Sequence, residues 1–379
     1  MNNKAQGNGS ADVVVIGGGI IGCSVAMRLA QAKAKVTVLE RGEIGAEASS
    51  AAAGMLAPQG EMISPPAFSD LCLKSRDLYP AFVAEIEELS GEKVGYRTDG
   101  AVLVGISDAE CHELEETYHV QTKRGLPLEL LTGDEARRRV PGLAAEIRTA
   151  LFVPGDHWLD NVRLMSALAK ACERLGVTLR PHSNVTKLNA SSGRVESVTV
   201  GRDGGGAAVS ASQFILAAGC WSRDLTASPA MEKSLQPCRG QILEFEAPDE
   251  LPHVVRAGHF YLVPRAERRV VAGTTAEYTG YDKAVTAEGM RSVIEGVSRI
   301  APFIKNYWFL RAWAGLRPDT RDHLPVIGHG ELKNLIFSTG HFRNGILLAP
   351  ENAQVVSELT LTGKSATPLE LYSPLRLSR

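Results

Sequence analysis

The sequence predicts an α/β protein: a Rossmann-like parallel sheet assembled from three separated chain segments, joined to an α+β domain with a mainly antiparallel sheet. Three observations lead there. Near the N-terminus, Val13–Ile16, Gly17-Gly-Gly19-Ile20-Ile21-Gly22, Ala26–Ala30 and Val36–Glu40 read as strand, glycine turn, helix and strand. Near the other end, Leu335–Thr339, Gly340–Gly345 and Ile346–Pro350 repeat the order strand, glycine-rich turn, helix. Between them, Gly240–Phe245, Phe260–Pro264 and Arg269–Gly273 follow one another as strands with no helix between.

The first element carries the most chemistry. Gly17 makes the tight turn, Gly19 lets a pyrophosphate approach the backbone, and Gly22 lets the helix pack close to the strands. The helix N-terminus at Ile20 and Ile21 offers unpaired N–H groups and a partial positive charge. Glu40 stands 23 residues after Gly17, where a carboxylate at a strand tip can accept from ribose hydroxyls. A lone glycine pattern is weak evidence. Here a strand, a helix and the acid surround it, which favours a dinucleotide over a ligand-free turn. Arg41 leaves a 2′-phosphate open as an alternative.

Bulk properties narrow the class. The 379 residues suffice for two or three domain-sized units, and a net charge of −2 gives no basic field for nucleic acid. The one arginine run, Arg137-Arg138-Arg139, reads as an exposed helix face. Six cysteines without a C-x-x-C pair fit a reducing compartment, hence a cytoplasmic protein, and nine histidines without ligand spacing predict no metal. No apolar run is long enough to span a membrane. Residues 1–10 are expected to fray.

In chain order, Ala48-Ser49-Ser50-Ala51-Ala52-Ala53-Gly54-Met55 is a run of small residues against which a planar ligand can lie. Its hydroxyls are donors, and the plain alternative is helix packing. Phe68–Leu89 reads as an amphipathic helix closed by Gly91. A strand at Gly100–Gly105 and helices at Asp108–Lys123 and after Thr132 follow. Ala150–Val153 is a strand, Asn161–Leu175 a helix stopped by Gly176, and Val177–Arg180 a strand. Val185–Leu188 and Val195–Val200 form a hairpin, and Phe214–Ala218 is a buried strand ending at Gly219. Residues 286–301 form a helix, and Trp308–Gly315 is a strand that ends at Leu316-Arg317-Pro318. We expect 10–90, 150–225 and 315–370 to build the nucleotide-binding domain, and 91–149 and 226–314 the second domain.

Arg317, at the end of an apolar strand, needs an anion. Either a substrate carboxylate or an internal acid such as Asp319 or Asp322 supplies it. Arg343, inside the second glycine turn, adds positive charge there or holds the loop. Tyr261 offers a hydroxyl, although an aromatic residue in a strand is more often core.

Five stretches resemble the flavin-dependent D-amino-acid oxidase superfamily, and within it the glycine oxidases of thiamine biosynthesis. They are Val15–Gly22, Ser50–Leu56, Tyr261–Arg265, Trp313–Pro318 and Gly340–Pro350, which run from near the N-terminus to near the C-terminus, so the likeness spans nearly the whole chain. The resemblance implies a glutathione-reductase-type FAD domain with non-covalent FAD, since neither Cys220 nor Cys238 suits covalent attachment. It carries the FAD contacts to Ile20, Ile21, Glu40, Arg41, Ala48, Ser49, Ala53, Gly54, Met55 and Val185, and to the turn His341, Phe342, Arg343, Asn344, Gly345, Ile346 and Leu347. Ser50 and Gly219 are added as neighbours. Substrate contacts fall on Arg317, Arg343 and Tyr261, with His259 and Trp313 as weaker candidates; the resemblance thus favours substrate as the partner of Arg317.

The implied reaction is oxidative deamination of glycine, sarcosine or small D-amino acids. FAD accepts a hydride from the α-carbon, no side chain acts as acid or base, and dioxygen is the second substrate. Products are the imino acid, then glyoxylate and ammonia, with hydrogen peroxide. The family further implies a homo-oligomer, dimer or tetramer, and hand-over of the imino acid to a thiazole synthase. Thr274-Thr275-Ala276, where a larger apolar residue is expected, predicts room for N-alkylated glycines. The alternatives are a sarcosine or D-amino-acid oxidase, a dehydrogenase passing electrons to another acceptor, and a non-catalytic flavin-binding partner.

Overall fold

The computed structural model describes residues 11–61, 64–201, 206–226 and 228–378. The tail expected to fray, 1–10, lies outside the described residues. Two sheets organise the rest. The first has six strands in the order Val326–His329, Leu335–Thr339, Ala211–Leu216, Ala11–Ile16, Val36–Leu39 and Thr178–Arg180. All its pairings are parallel except Val326–His329 against Leu335–Thr339. Val13–Ile16 is buried on both faces, as a near-continuous apolar run in a parallel sheet must be. Val13 and Val15 pack with the helices Ile20–Gln31, Pro66–Ser90, Asn161–Arg174 and Gly345–Thr362. Val14 and Ile16 point the other way, toward Val185, Val195 and Val198 of a three-stranded sheet.

The second sheet has eight strands in the order Trp308–Thr320, Leu235–Glu246, Arg269–Gly273, Phe260–Pro264, Val254–Ala257, Ala101–Gly105, Thr149–Val153 and Glu129–Thr132. Its pairings are antiparallel except Val254–Ala257 with Ala101–Gly105. Helix Ala287–Ile300 covers one face through Val293, Val297 and Ile300. The other face presents Ile242, Tyr261 and Val263 to Ala53, Met55 and Trp158 of the small-residue segment and its neighbours. The two sheets therefore meet across the loops that follow the parallel strands.

Local signals explain most boundaries. Gly91 closes its helix with φ +73°, and Ser107 with Glu110, like Thr132 with Glu135, forms a capping box. Two expectations are corrected. The strand at 149–153 pairs with Ala101–Gly105 and Glu129–Thr132 in the eight-stranded sheet, not with the parallel sheet. The strand beginning at Trp308 does not stop at Gly315; it runs to Thr320, with Arg317 opposite Cys238 and Pro318 opposite Pro237. Proline is tolerated because this is an edge strand, where one row of N–H groups needs no ladder partner. Among the described residues no helix is long and apolar enough to cross a membrane.

Candidate active site

The glycine turn behaves as its spacing predicts. A Cβ at Gly17 would lie 2.4 Å from the Ala217 carbonyl oxygen, and one at Gly22 would lie 2.0 Å from the Gly17 carbonyl oxygen. These two positions pack backbone against backbone. A Cβ at Gly19 would meet only Ser49 Oγ, at 3.1 Å, on the edge of a cavity of about 480 Å³. The helix that starts at Ile20 has no side-chain cap and no acid in its first turn. Ile20 N–H donates to Ser49 Oγ at 2.9 Å. The helix Gly345–Thr362 likewise starts without a side-chain cap from its N-cap residue and without acid, so two helix N-termini face one space.

Glu40 is buried at the tip of the second strand. Its Oε2 accepts from Gly18 N–H at 2.7 Å and its Oε1 from Gly42 N–H at 2.9 Å. Each oxygen keeps a further acceptor site, and the residue lines the cavity. Arg41 stacks over the Trp221 ring at 3.4 Å and pairs with Glu47 at 2.7 Å. Glu47 is also held by Lys283 at 3.0 Å. The arginine charge is already matched, so nothing reserves it for a 2′-phosphate. The small-residue segment is fixed from behind: Asn161 Nδ2 donates to the Ser49 and Ser50 carbonyls, and buried Arg265 donates to the Ala53 carbonyl at 2.6 Å.

At the far end of the cavity lie Arg317, Tyr261, Thr274, Glu61 and Arg343. Arg317 Nη2 donates to Thr274 Oγ1 at 2.8 Å and Nη1 to the Thr275 carbonyl at 3.2 Å. Among the described residues no carboxylate is within salt-bridge distance of it. The two acids that competed for it are engaged elsewhere. Asp319 accepts from Tyr278 Oη and pairs with His323, while Asp322 pairs with Arg376. Gly240 makes room for the guanidinium, because a Cβ there would lie 2.3–2.5 Å from its atoms. Gly273 does the same for Tyr261, whose hydroxyl would sit 2.4 Å from a Cβ. Burial raises the Tyr261 pKa, and Arg317 and Arg343 partly offset that rise, so the phenol stays protonated.

Glu61 Oε1 lies 3.4 Å from Arg343 Nη2 and 3.3 Å from Arg256 Nη1. Burial pushes its carboxyl up, but Arg343, Arg256 and Arg317 outweigh this and hold it below the usual carboxylate range. In the second glycine turn, Phe342 adopts φ +47°, stacks on His323 and donates its N–H to the Pro318 carbonyl. His341 is buried on Asn352 Oδ1 at 3.1 Å; burial brings its pKa down to about 4, so the ring is neutral. Cys220 also lines the cavity, with its thiol pushed up by burial to about 12.

Most residues singled out from the sequence line this one space: Gly17, Gly19, Ile20, Ile21, Glu40, Arg41, Ala48, Ser49, Ala53, Gly54, Met55, Val185, Gly219 and the whole turn 341–347, with Arg317 and Tyr261. Gly22 and Ser50 stand behind the lining, Gly22 on the Gly17 carbonyl and Ser50 through its carbonyl to Asn161. His259 is not in the lining; it sits on the Gly258 turn, exposed, with its ring 4.1 Å from Phe260. Sequence reasoning missed Glu61, Arg256, Gly240 and Trp221. Gly240 stands opposite Gly315, two register steps from Arg317 opposite Cys238, and no single stretch of sequence signals that meeting.

Comparison with known proteins gives a consistent answer. The family model for FAD-dependent oxidoreductases, DAO, matches residues 12–359. A glycine oxidase of Geobacillus kaustophilus is 32% identical over 370 residues, 96% of this chain and 97% of that protein. A protein of Nostoc named bifunctional protein ThiO/ThiG is 34% identical over 362 residues, 93% of this chain but only 53% of the relative, so the chain spans about half of that longer protein. The crystal structure of the Geobacillus kaustophilus glycine oxidase superposes with a TM-score of 0.90 at 31% identity, covering 96% of this chain and 98% of the other.

Proposed function

This chain belongs to the DAO family of FAD-dependent oxidoreductases, and from that premise we propose that it oxidises glycine and related small amines with FAD. The products are the imino acid, which hydrolyses to glyoxylate and ammonia, and hydrogen peroxide from dioxygen. The observation that carries the reading is Arg317: a guanidinium held by Thr274 and Thr275, facing the cavity, with no carboxylate within salt-bridge distance among the described residues.

The residues present fit FAD. Gly19 and the uncapped N-terminus at Ile20 and Ile21 would take the pyrophosphate, Glu40 the ribose, and Val185 the adenine side. Ala53–Met55 and the turn 341–347 would hold the ring. Burial pushes the Cys220 thiol away from the reactive thiolate form, in keeping with the non-covalent binding read from the sequence. When bound, FAD supplies the acceptor for the hydride that leaves the substrate α-carbon.

The chain's own part is positioning. Arg317 takes the carboxylate through its planar fork, and the protonated Tyr261 hydroxyl donates to the same group. Thr274 fixes the tilt of the guanidinium and so the direction in which the α-carbon points. Neither His341, kept neutral by burial against Asn352, nor Glu61, held ionised by arginines, is a general base poised near neutrality. The substrate amine therefore reaches the site by losing its proton to solvent.

We read the parallel sheet with its helices as the FAD-binding domain and the eight-stranded sheet as the substrate domain. We also read the protein as a cytoplasmic homo-oligomer that passes its imino acid to a thiazole synthase. The half-length match to relatives named bifunctional ThiO/ThiG supports the hand-over. The test is oxygen uptake and glyoxylate formation across glycine, sarcosine, D-alanine and L-proline. Turnover of glycine with one peroxide per glyoxylate is expected. Turnover without peroxide would replace the oxidase by a dehydrogenase, and no glycine turnover would refute the reading.

A further inference from the structure

Arg317 is not the only guanidinium at this end of the cavity. Arg343 also lines it, and Arg256 stands behind, its side chain only 11% exposed. Glu61 sits between the last two, 12% exposed, with one oxygen shared by both. Its segment is tied down apart from these arginines as well: Asp156 accepts from Gln59 and Gly60 N–H, at 3.1 and 2.8 Å, while Arg256 Nη1 adds a bond to the Gly60 carbonyl. Glu61 is therefore placed by its own backbone, and the arginines meet it there.

We propose that Glu61 sets the charge class of the substrate, excluding amines that carry a second acidic group by occupying the guanidinium groups such a group would need. Among the described residues Arg317 is left as the cavity cation with no acid within salt-bridge distance, and it matches one carboxylate. A substrate with a second carboxylate would have to displace Glu61 from Arg343 and Arg256, leaving a buried carboxylate beside an anion. Removing the negative charge frees both guanidinium groups and removes the repulsion at once. The inference rests on the reading that Arg317 holds a substrate carboxylate, and it adds which amino acids the site refuses.

The test uses two ether analogues that cannot be deaminated, so it does not depend on turnover. Methoxyacetate has the shape of sarcosine with one carboxylate, and diglycolate has the shape of iminodiacetate with two. Calorimetric titration into the flavin-loaded wild type and Glu61→Gln reads both affinities. A unit charge at the distance of a neighbouring side chain is worth about tenfold or more for an anion. Diglycolate should therefore bind Glu61→Gln at least about tenfold tighter than the wild type, with methoxyacetate changed less than about threefold. Glu61→Asp, which keeps the charge, should hold the wild-type ratio. Arg343→Gln should shift the ratio the opposite way, disfavouring diglycolate, which keeps the proposal testable if Glu61→Gln does not fold. A diglycolate-to-methoxyacetate ratio that stays constant in Glu61→Gln, or that moves the same way in Glu61→Gln and Arg343→Gln, would overturn the proposal. Methoxyacetate that binds no variant would instead strike at the role of Arg317, a separate failure.

Discussion

Gly240→Ala adds one carbon atom to the wall that Arg317 lies against. Gly240 is buried in the strand Leu235–Glu246, opposite Gly315, and its φ lies outside the left-handed region, so alanine fits the backbone. The new Cβ would lie 2.3 Å from Nη2 and 2.4 Å from Nη1, whereas ordinary contact starts near 3.4 Å. The guanidinium must retreat by about 1 Å, and a misplacement of that size costs on the order of a hundredfold in rate. It also strains the Thr274 hydrogen bond, 2.8 Å long, worth about 1.5–3 kcal/mol for a charged group. We expect kcat/KM for glycine to fall about a hundredfold, with flavin content unchanged and Tm within a few degrees. The assay is steady-state peroxide formation, with flavin absorbance and thermal melting as controls. Activity within threefold of the wild type, at unchanged flavin content, would refute the claim that Arg317 works in the position seen here.

Further outcomes follow from other contacts. Thr274 is small and its hydroxyl faces Arg317, so sarcosine should be oxidised with a catalytic efficiency within about a hundredfold of glycine; a larger preference for glycine would show that the pocket does not admit the extra methyl group. Acid precipitation should release all the flavin into the supernatant, as non-covalent binding requires; yellow colour in the pellet would point to a covalent link, for which Cys220 in the cavity lining is the thiol to examine. Asp156 is raised to about 7 by burial, against the opposing pull of the Gln59 and Gly60 N–H groups, Arg76 and Arg256. Between its unfolded value near 4 and about 7 the folded protein binds the extra proton, so this residue's contribution to stability falls as pH rises through that window. The Tm of Asp156→Asn relative to wild type should accordingly climb from about pH 5 to about pH 8; a flat difference would remove Asp156 as a titrating group.

The parallel sheet was legible because its strands are short, apolar and bounded by glycine, and because Gly17, Gly22 and Gly91 do local jobs that leave a local mark. Residues of the glycine turn, the small-residue segment and the turn 341–347 were found because contiguous stretches of chain build them. Strand partnership was harder to read. Ala150–Val153 carries no signal that says which sheet it joins, since an apolar run suits either, and only long-range pairing decides. The strand through Arg317 looked finished at Gly315 because Pro318 reads as a stop. It continues because an edge position asks for no N–H there. His259, the weaker substrate-side candidate next to Tyr261, lies in the turn before the strand and outside the cavity lining, which its position beside Tyr261 in sequence does not reveal. Glu61, Arg256 and Gly240 come from three distant stretches, and their meeting is a property of the fold, with no pattern in any one stretch.

The central claim, that Arg317 delivers a small amino acid to a flavin held by the two uncapped helix N-termini, is tested most directly by mixing the yellow protein with glycine in the absence of oxygen. The account predicts that the colour bleaches at a rate that saturates with glycine, returns with peroxide when air is admitted, and bleaches at least about a hundredfold more slowly in Arg317→Met. Colour that persists with glycine, or bleaching unaffected by Arg317→Met, would contradict it.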